Sequence, residues 1–240
     1  MKAIHQLATF QNIYKQYNQT EPLHRFLAQY YRQNKQMGSK DRRLASRLLY
    51  NYFRLGNILE NESQEDRLVI AEFLCNDNPN SFLNHFKPEW EATIQLTLEE
   101  KIKMVKAQYP NFNLEDVFPF HLHLTEGIDS EAFFLSFFTQ PDLYIRMKRG
   151  QEKRITKLLS EAEIRFTAVN EYTLALANGT KLDQIITDKG IYEVQDISSQ
   201  KVGTYFKPTQ WDKWWDCCAA SGGKSLLLHD EQPDIKLLVS

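Results

Sequence analysis

Near residue 220, a run of small residues separates two apolar segments, and this pattern restricts the fold of the surrounding chain. The run is Asp216–Leu228, which reads DCCAASGGKSLLL. Trp214–Cys218 predicts a strand, a helix is expected from Lys224, and Ile235–Val239 predicts a second strand. Two strands joined by a helix form the first βαβ unit of a doubly wound sheet. We therefore predict the start of a Rossmann-like α/β domain over residues 191–240.

One βαβ unit buries too little apolar surface to stand alone, because the strands of a parallel sheet are covered on both faces. We therefore expect the sequence, which reads Met1–Ser240, to be the first part of a longer protein.

Composition excludes several classes of protein. The 240 residues are 42% hydrophobic, enough for more than one domain, and the formal net charge of −2 gives no overall signal for nucleic acid. A membrane span needs an apolar run of about 18 residues, and the sequence contains none. The N-terminus does not resemble a signal peptide. The three cysteines include an adjacent pair, which argues against a disulfide framework. We expect reduced thiols and a cytoplasmic protein.

Residues 1–139 predict an all-α bundle, because apolar side chains recur at three- and four-residue steps and strand alternation is absent. We expect Ser39 to cap the third helix and Gly56 to end it. Later helices are predicted at Asp66–Cys75, Leu98–Gln108 and Ser130–Phe138.

Residues 140–190 predict a small α+β unit. After Pro141, LYIRM predicts a strand, GQEKRITKLLSEAE a helix and IRFTAVNEYTLALANGT two short strands. A further strand, GIYEVQD, is expected to begin near Gly190. Ser198 and Ser199 then predict the start of a helix, and its inward residues would be Val202, Tyr205 and Phe206.

The glycine run has more than one interpretation. A nucleotide-triphosphate loop needs G-x-x-x-x-G-K-[ST], and Gly223-Lys224-Ser225 supplies its end. Cys218 stands where the first glycine should be, which counts against a P-loop nucleotidase. The dinucleotide pattern G-x-G-x-x-G is also unmet. A plain strand-to-helix turn remains possible.

Two motifs resemble those of one enzyme family. DCCAASGGK resembles the methyl-donor loop D-x-C-A-A-P-G-G-K of the RNA cytosine-5 methyltransferases (the Sun/Nop2/Fmu family, which includes a bacterial 16S ribosomal RNA enzyme), with Ser221 in place of proline. YEVQDISSQ is similar to the family segment V-Q-D-x-S-S-Q. The residues that match this segment are Val194, Gln195, Asp196, Ser198, Ser199 and Gln200. PDLYIRMK looks like the entry to the family's RNA-binding subdomain, and GSKDRRLASRLLYNYFR is similar to a NusB-like domain.

The resemblance implies a multidomain chain. It would have a NusB-like helical bundle at 1–139, a small α+β RNA-binding subdomain at 140–190 and an incomplete Rossmann-like domain at 191–240. The implied reaction is S-adenosyl-L-methionine-dependent methylation of cytosine C5 in RNA, with ribosomal RNA as the expected substrate, by a monomer without a metal. A non-catalytic RNA-binding or assembly module is the main alternative.

The cofactor would be held by a loop of mostly small residues, which let the backbone approach the donor closely. Those expected to bind it are Cys218, Ala219, Ala220, Ser221, Gly222, Gly223 and Lys224. The N–H groups of the following helix could bind the donor's carboxylate. We do not expect Cys218 to be the nucleophile, and we place Cys217 in a buried strand. The family's catalytic cysteines lie later in its fold, so we expect them beyond residue 240 and expect this chain alone to lack turnover and to bind the donor poorly.

A basic stretch, RMKRGQEKR, could follow an RNA backbone with an aromatic residue beside it to stack a base. The RNA-binding candidates are Tyr144, Arg146, Lys148, Arg149, Lys153 and Arg154. A solvated basic turn is the alternative. A second cluster fits a solvated helix face better; its members are Arg32, Lys35, Lys40, Arg42, Arg43 and Arg47. His121 and His123 lack further ligands nearby and are expected to be structural.

Overall fold

The computed structural model describes residues 2–240 and mixes α-helices with β-strands. The chain divides into two compact units, Met1–Gln140 and Pro141–Ser240. The first unit contains helices and no strand among residues 2–140, as the apolar spacing predicts. The second contains every strand of the described chain.

Among residues 2–140, eight α-helices form the first unit. They are α1 (Ala3–Gln16), α2 (Leu23–Gln33), α3 (Ser39–Arg54), α4 (Gln64–Leu74), α5 (Ser81–Phe86), α6 (Pro88–Glu91), α7 (Leu98–Gln108) and α8 (Ser130–Ser136). Two 3₁₀ turns, Leu114–Val117 and His121–His123, lie between α7 and α8. The predicted bounds of α7 are confirmed, and its N-terminus carries a capping box of Thr97 and Glu100.

The first unit has one continuous apolar core. Its largest fully buried side chains include Phe10, Phe73, Phe82 and Trp90. The rings of Phe73 and Trp90 stack with centroids 4.8 Å apart. Aromatic pairs of this kind add to the stability that burial itself supplies. The core therefore depends on the volume of a few large side chains.

The ends of α3 show one confirmed and one wrong prediction. Ser39 is the first helical residue rather than the cap; Gly38 takes the cap position and has no side chain to bond. Gly56 follows the helix with φ +57°, and a Cβ there would lie 2.3 Å from the carbonyl oxygen of Val117. Only glycine fits this turn, because both the backbone angle and the contact exclude a side chain.

A buried carboxylate joins α3 to α4. Glu72 is fully buried, and its oxygens accept hydrogen bonds from Arg47 at 2.9 Å and from Asn51 at 2.6 Å. Burial raises the pKa of Glu72 above its ordinary value, and the charge of Arg47 opposes that shift. This network is one of the few polar features inside the first unit.

The second unit is built on a four-stranded antiparallel sheet. Its strands are β1 (Leu143–Met147), β2 (Phe166–Asn170), β3 (Thr173–Leu176) and β4 (Tyr192–Val194), in the order β2-β3-β1-β4. Helices α9 (Glu152–Glu161) and α10 (Leu182–Ile185) lie between them in sequence. Ile155 and Leu159 of α9 share a core with Ile145 and Leu174. The predicted strands and helix of this segment are confirmed.

A parallel strand pair completes the unit. Strands β5 (Lys213–Asp216) and β6 (Lys236–Val239) pair with Trp214 opposite Leu237, and α12 (Gly223–Glu231) connects them. The predicted strand–helix–strand order is therefore present. It includes only two strands, so a Rossmann-like domain is not established by this arrangement.

The segment before β5 corrects two expectations. Helix α11 (Ile197–Lys201) is capped by Asp196, whose carboxylate accepts from the N–H of Ser198 at 2.8 Å, so Ser198 and Ser199 are not its caps. Tyr205, expected to point inward, lies in a 3₁₀ turn and is 82% exposed. In residues 2–240, no helix has both the length and the apolar character needed to cross a membrane.

Candidate functional site

The glycine-rich loop between β5 and α12 is the candidate site. It turns sharply: Ala220 has φ +47° and Gly222 has φ +83°, both in the left-handed region. The N–H of Gly222 donates to the carbonyl of Ala219 at 2.7 Å, and the N–H of Ala219 donates to the carbonyl of Ser240 at 3.3 Å. The predicted cofactor residues 218–224 thus form one continuous turn at the carboxyl end of β5.

Asp216 holds this loop from both sides. One carboxylate oxygen accepts from the backbone N–H of Cys218 at 3.2 Å, and the other accepts from the hydroxyl of Ser225 at 2.6 Å. The strand ends at Asp216 because that carboxylate bonds the chain two residues later. The prediction that Cys217 is a buried strand residue is wrong: Cys217 and Cys218 are both exposed and follow the strand. Asp216 matches the family motif, but the motif alone does not indicate that its carboxylate bonds to both ends of the loop.

The first turn of α12 offers backbone donors. Its cap position is Gly222, which supplies no side-chain acceptor, and the first helical bond runs from Leu226 N–H to Gly222 carbonyl. The N–H groups of residues 223–225 precede that bond and have no acceptor within the helix. Lys224 is exposed beside them. A carboxylate or phosphate is favoured at such a position by both the N–H groups and the helix dipole.

Cys218 is poorly suited to be a nucleophile. Its hydrogen bond with the neighbouring Cys217, and that neighbour's charge, raise the pKa of the Cys218 thiol above its ordinary value. A raised pKa lowers the fraction of reactive thiolate near neutral pH. The structure is thus consistent with a backbone role for Cys218 in the loop.

A small apolar pocket adjoins the loop. It has a volume of about 180 Å³, and Asp216 and Lys224 border it together with Phe206, Trp214 and Leu228. Its walls are therefore mainly aromatic and aliphatic, with the charged loop residues at one side. Small-molecule sites have a similar lining but volumes of about 300–1,000 Å³, so this pocket has room for only part of a ligand.

The basic stretch does not form one surface. Arg146 is 5% exposed, its Nε donates to Gln195 at 2.9 Å, and its guanidinium pairs with Asp230. The cation of Arg146 therefore lies inside the unit, contrary to the expectation of an RNA contact at the surface. Tyr144, in β1, is half-buried.

The other cations of that stretch lie nearer to solvent. Lys148 Nζ is 3.7 Å from Asp230, and Arg154 pairs with Asp188 at 3.0 Å. Arg149 lies over the ring of Tyr172, 5.6 Å from its centroid, and Lys153 is exposed on α9. Tyr172 was not predicted as a site residue, because nothing in its local sequence marks it. Arg149, Lys153 and Arg154 are all exposed, and of the three Arg154 is in an ion pair.

The V-Q-D-x-S-S-Q segment packs beside the glycine loop, where Gln195 lies next to Gly223. Gln195 is buried, and its carbonyl accepts from Gln200 Nε2 at 2.8 Å. Thr173 donates to the side chain of Gln200 at 2.5 Å. Hydrogen bonds from Ser198 lower the pKa of Asp196 below its ordinary value. Val194 is 59% exposed. The motif therefore joins β3, β4 and α11.

The remaining candidates lie in the first unit. His121 Nε2 is 3.8 Å from Glu115, and His123 is exposed. Within residues 2–240, no group of three or more His, Cys, Asp or Glu side chains could hold a metal ion. In the second basic cluster, Arg42 donates to the carbonyl of Met37 at 2.8 Å and Arg47 pairs with Glu72. At least two of its cations thus have partners within the unit.

Among solved structures, the chain is similar to PH0851, for which a crystal structure exists. The two are 14% identical with a TM-score of 0.56, and the match covers 100% of this chain and 63% of PH0851. At this identity the similarity shows a shared fold alone. The chain spans less than two thirds of the length of that relative. No protein-family model matches the chain, and no curated protein sequence does either.

Proposed function

We propose that the chain is part of an RNA cytosine-5 methyltransferase that uses S-adenosyl-L-methionine, with ribosomal RNA as its substrate class. The observation that carries the proposal is the loop at residues 216–224. Its sequence resembles the family's methyl-donor loop, and it lies between a strand and a helix with Asp216 bonded across it. The finer arrangement, a NusB-like bundle followed by a Rossmann-like domain, is part of the same proposal.

The residues of the loop fit the donor chemically. Ala219, Ala220 and Gly222 leave the backbone open to close approach. The N–H groups at the start of α12, with Lys224 beside them, suit the carboxylate of the donor's methionine portion. The aromatic pocket at Phe206 and Trp214 suits an apolar or planar part of the ligand. When bound, the donor supplies an activated methyl group on its sulfonium; this chain's residues bind and orient it.

Donor binding is tested by equilibrium dialysis of the chain with labelled S-adenosyl-L-methionine and, separately, with ATP and Mg²⁺. We expect weak binding of the methyl donor and none of ATP. Binding of ATP alone would overturn the proposal in favour of a nucleotide-triphosphate loop.

A matched pair of glycines shows whether the loop is the binding site. Gly222 and Gly179 both have φ +83°, and a Cβ at either position would meet nothing within 4 Å, so alanine adds the same backbone strain at each. We expect Gly222→Ala to abolish donor binding and Gly179→Ala to preserve it. Equal losses in the two variants would contradict placement of the donor at this loop.

RNA binding is proposed for the exposed cations Arg149, Lys153 and Arg154. Removing one phosphate-binding cation should reduce the slope of log affinity against log salt by about 0.7 for single-stranded RNA. We expect Arg149→Ala and Lys153→Ala to lower that slope. Lys157→Ala is the control, since Lys157 is exposed on α9 and pairs with Glu161. Unchanged slopes in the first two variants would favour the solvated-turn interpretation.

A further inference from the structure

The side chain of Arg146 connects the antiparallel sheet to the helix that follows the glycine loop. It starts from β1, its Nε donates to Gln195 Oε1 at 2.9 Å, and its Nη1 pairs with Asp230 of α12. Arg146 and Gln195 are 5% and 6% exposed. The Arg146–Gln195 hydrogen bond is therefore made in the interior, where hydrogen bonds interact more strongly than in water, and the side chain of Asp230 is 22% exposed.

Gln195 lies directly against the end of the glycine loop. A Cβ at Gly223 would lie 3.3 Å from its Nε2 and 3.6 Å from its side-chain carbonyl carbon. The Gln195 backbone is itself fixed: its N–H donates to the carbonyl of Tyr144 at 3.1 Å, and its carbonyl accepts from Gln200. Gln195 thus forms a fixed wall beside the first residue of α12.

Asp230 holds the same face of α12 further along. It follows Gly223 by seven residues, about two turns and roughly 10 Å along the axis, so both residues lie on one side of the helix. Leu227 lies between them on that side and contacts Gly203, where a Cβ would be 2.6 Å from Leu227 Cδ2. One face of α12 therefore makes contacts along its whole length, from its first residue to its last turn.

Stability alone does not explain why this contact is polar. Arg146 Nη2 and Gln195 Nε2 are both buried without a hydrogen-bond acceptor among residues 2–240. Buried donors without acceptors cost free energy, and apolar residues of similar shape often replace a buried ion pair without loss. Hydrogen bonds require particular distances and angles between their groups, so the polar contact specifies one position of α12 relative to β1.

We propose that Arg146, Gln195 and Asp230 are positioning residues for the methyl-donor loop: they set where the first turn of α12 presents its N–H groups. The inference rests on the proposed function, because the loop is assigned there to the donor. None of the three is proposed to contact the reacting atoms.

The first test measures the loop without any ligand. Hydrogen–deuterium exchange is compared for the hydrogen-bonded amides of Cys218, Ala219, Gly222 and Leu226 and for β1 and β3. The wild-type chain is measured beside Gln195→Ala, Gln195→Met and Asp230→Asn. We expect exchange at the loop to rise about tenfold, the factor that corresponds to a free-energy change of about 1.4 kcal/mol, with β1 and β3 unchanged. Gln195→Met keeps the side chain's length but accepts no hydrogen bond from Arg146. If it behaves as wild type, the hydrogen bond does not place the loop.

The control is Asp183→Asn, which removes an ion pair with Lys189 at 3.3 Å in the same unit, where both side chains are 71% exposed. It should leave loop exchange unchanged. A rise at β1 and β3 equal to that at the loop would mean that the three residues only stabilise the unit, and it would overturn the inference.

A double substitution tests whether Gly223 and Gln195 are in direct contact or affect the loop only through the stability of the unit. Gly223→Ala crowds Gln195, so we expect it to raise loop exchange, and Gln195→Ala should relieve that crowding when the two are combined. Additive effects would contradict a direct contact.

Donor binding by the same variants forms the second arm. If wild type binds S-adenosyl-L-methionine, Gln195→Met and Asp230→Asn should weaken that binding about tenfold. If wild type does not bind it, the proposed function fails, and the exchange data still decide whether these residues position the loop.

Discussion

The two units are stabilised in different ways. Among the described residues of the first unit, 29 buried apolar residues form one cluster, which includes fully buried Phe and Trp side chains. In Pro141–Ser240, the sheet has a core of ten buried residues, and α12 is held by the Arg146–Asp230 pair and by close contacts at two glycines. The first unit depends on apolar volume, whereas the region around the glycine loop depends on polar geometry.

This difference shows where each unit can tolerate change. A close-packed apolar core loses free energy when volume is removed, because the cavity is only partly refilled. A loop held by hydrogen bonds loses position when a partner is removed, even when the core is untouched. Substitutions that remove only volume should therefore affect the stability of the first unit most. Substitutions that remove only a polar partner should affect the glycine loop of the second unit most.

The largest effect is expected from Trp90→Ala. Trp90 is fully buried and stacks on Phe73, so its truncation should lower the free energy of unfolding of the first unit by about 3–5 kcal/mol. Urea unfolding followed by circular dichroism measures the change. Trp211→Ala is the control in the second unit: Trp211 is 66% exposed, and its loss should change stability by less than about 0.5 kcal/mol.

Comparable losses of stability in Trp90→Ala and Trp211→Ala would contradict the view that the first unit depends on buried volume. A third variant, Trp90→Phe, tests the same view with a smaller change of volume. The indole N–H of Trp90 is buried without an acceptor among the described residues, so phenylalanine removes an unsatisfied donor while keeping most of the ring. We expect that variant to lose much less stability than Trp90→Ala.

Much of the secondary structure could be predicted because it is encoded locally. Helix α7 has a threonine cap, a glutamate three residues later and apolar residues at helical spacing, and its bounds were predicted correctly. Strand β1 follows Pro141 and is a short run, LYIRM, of mainly apolar and aromatic residues. The short helices α5 and α6 were missed, because six and four residues are too few to show a periodicity.

The site was harder to predict because its geometry depends on distant residues. The loop was located from its sequence, but the role of Arg146 was not: a cation in a basic stretch gives no sign of a partner 84 residues away. Cys217 was misplaced because the apolar run continues past Asp216, while the carboxylate of Asp216 turns the chain. Ion pairs and side-chain turns of this kind are set by tertiary contacts rather than by periodicity.

A smaller effect is expected at the glycines with positive φ. Gly56→Ala in the first unit combines a strained backbone angle with a clash against the Val117 carbonyl, so we expect a loss of about 2–4 kcal/mol. Gly150→Ala in the second unit meets nothing within 4 Å at φ +83° and should cost about 1 kcal/mol from strain alone. Thermal unfolding of both variants gives the comparison. Equal losses would show that strain, and not the contact with Val117, decides the cost at Gly56.

The difference expected from Glu72→Gln is a change of relative stability with pH. Because burial raises the pKa of Glu72, the folded state binds a proton more readily than the unfolded state does. Its contribution to stability is therefore fully present below the ordinary carboxyl pKa and is lost as pH rises through the folded value. Glutamine does not titrate, so the stability of Glu72→Gln relative to wild type should increase with pH. Urea unfolding of both chains between about pH 4 and 8 measures this slope. A decrease instead would mean that the pairing of the carboxylate with Arg47 and Asn51 outweighs its burial, and the first unit would then share with the second a dependence on a buried ion pair.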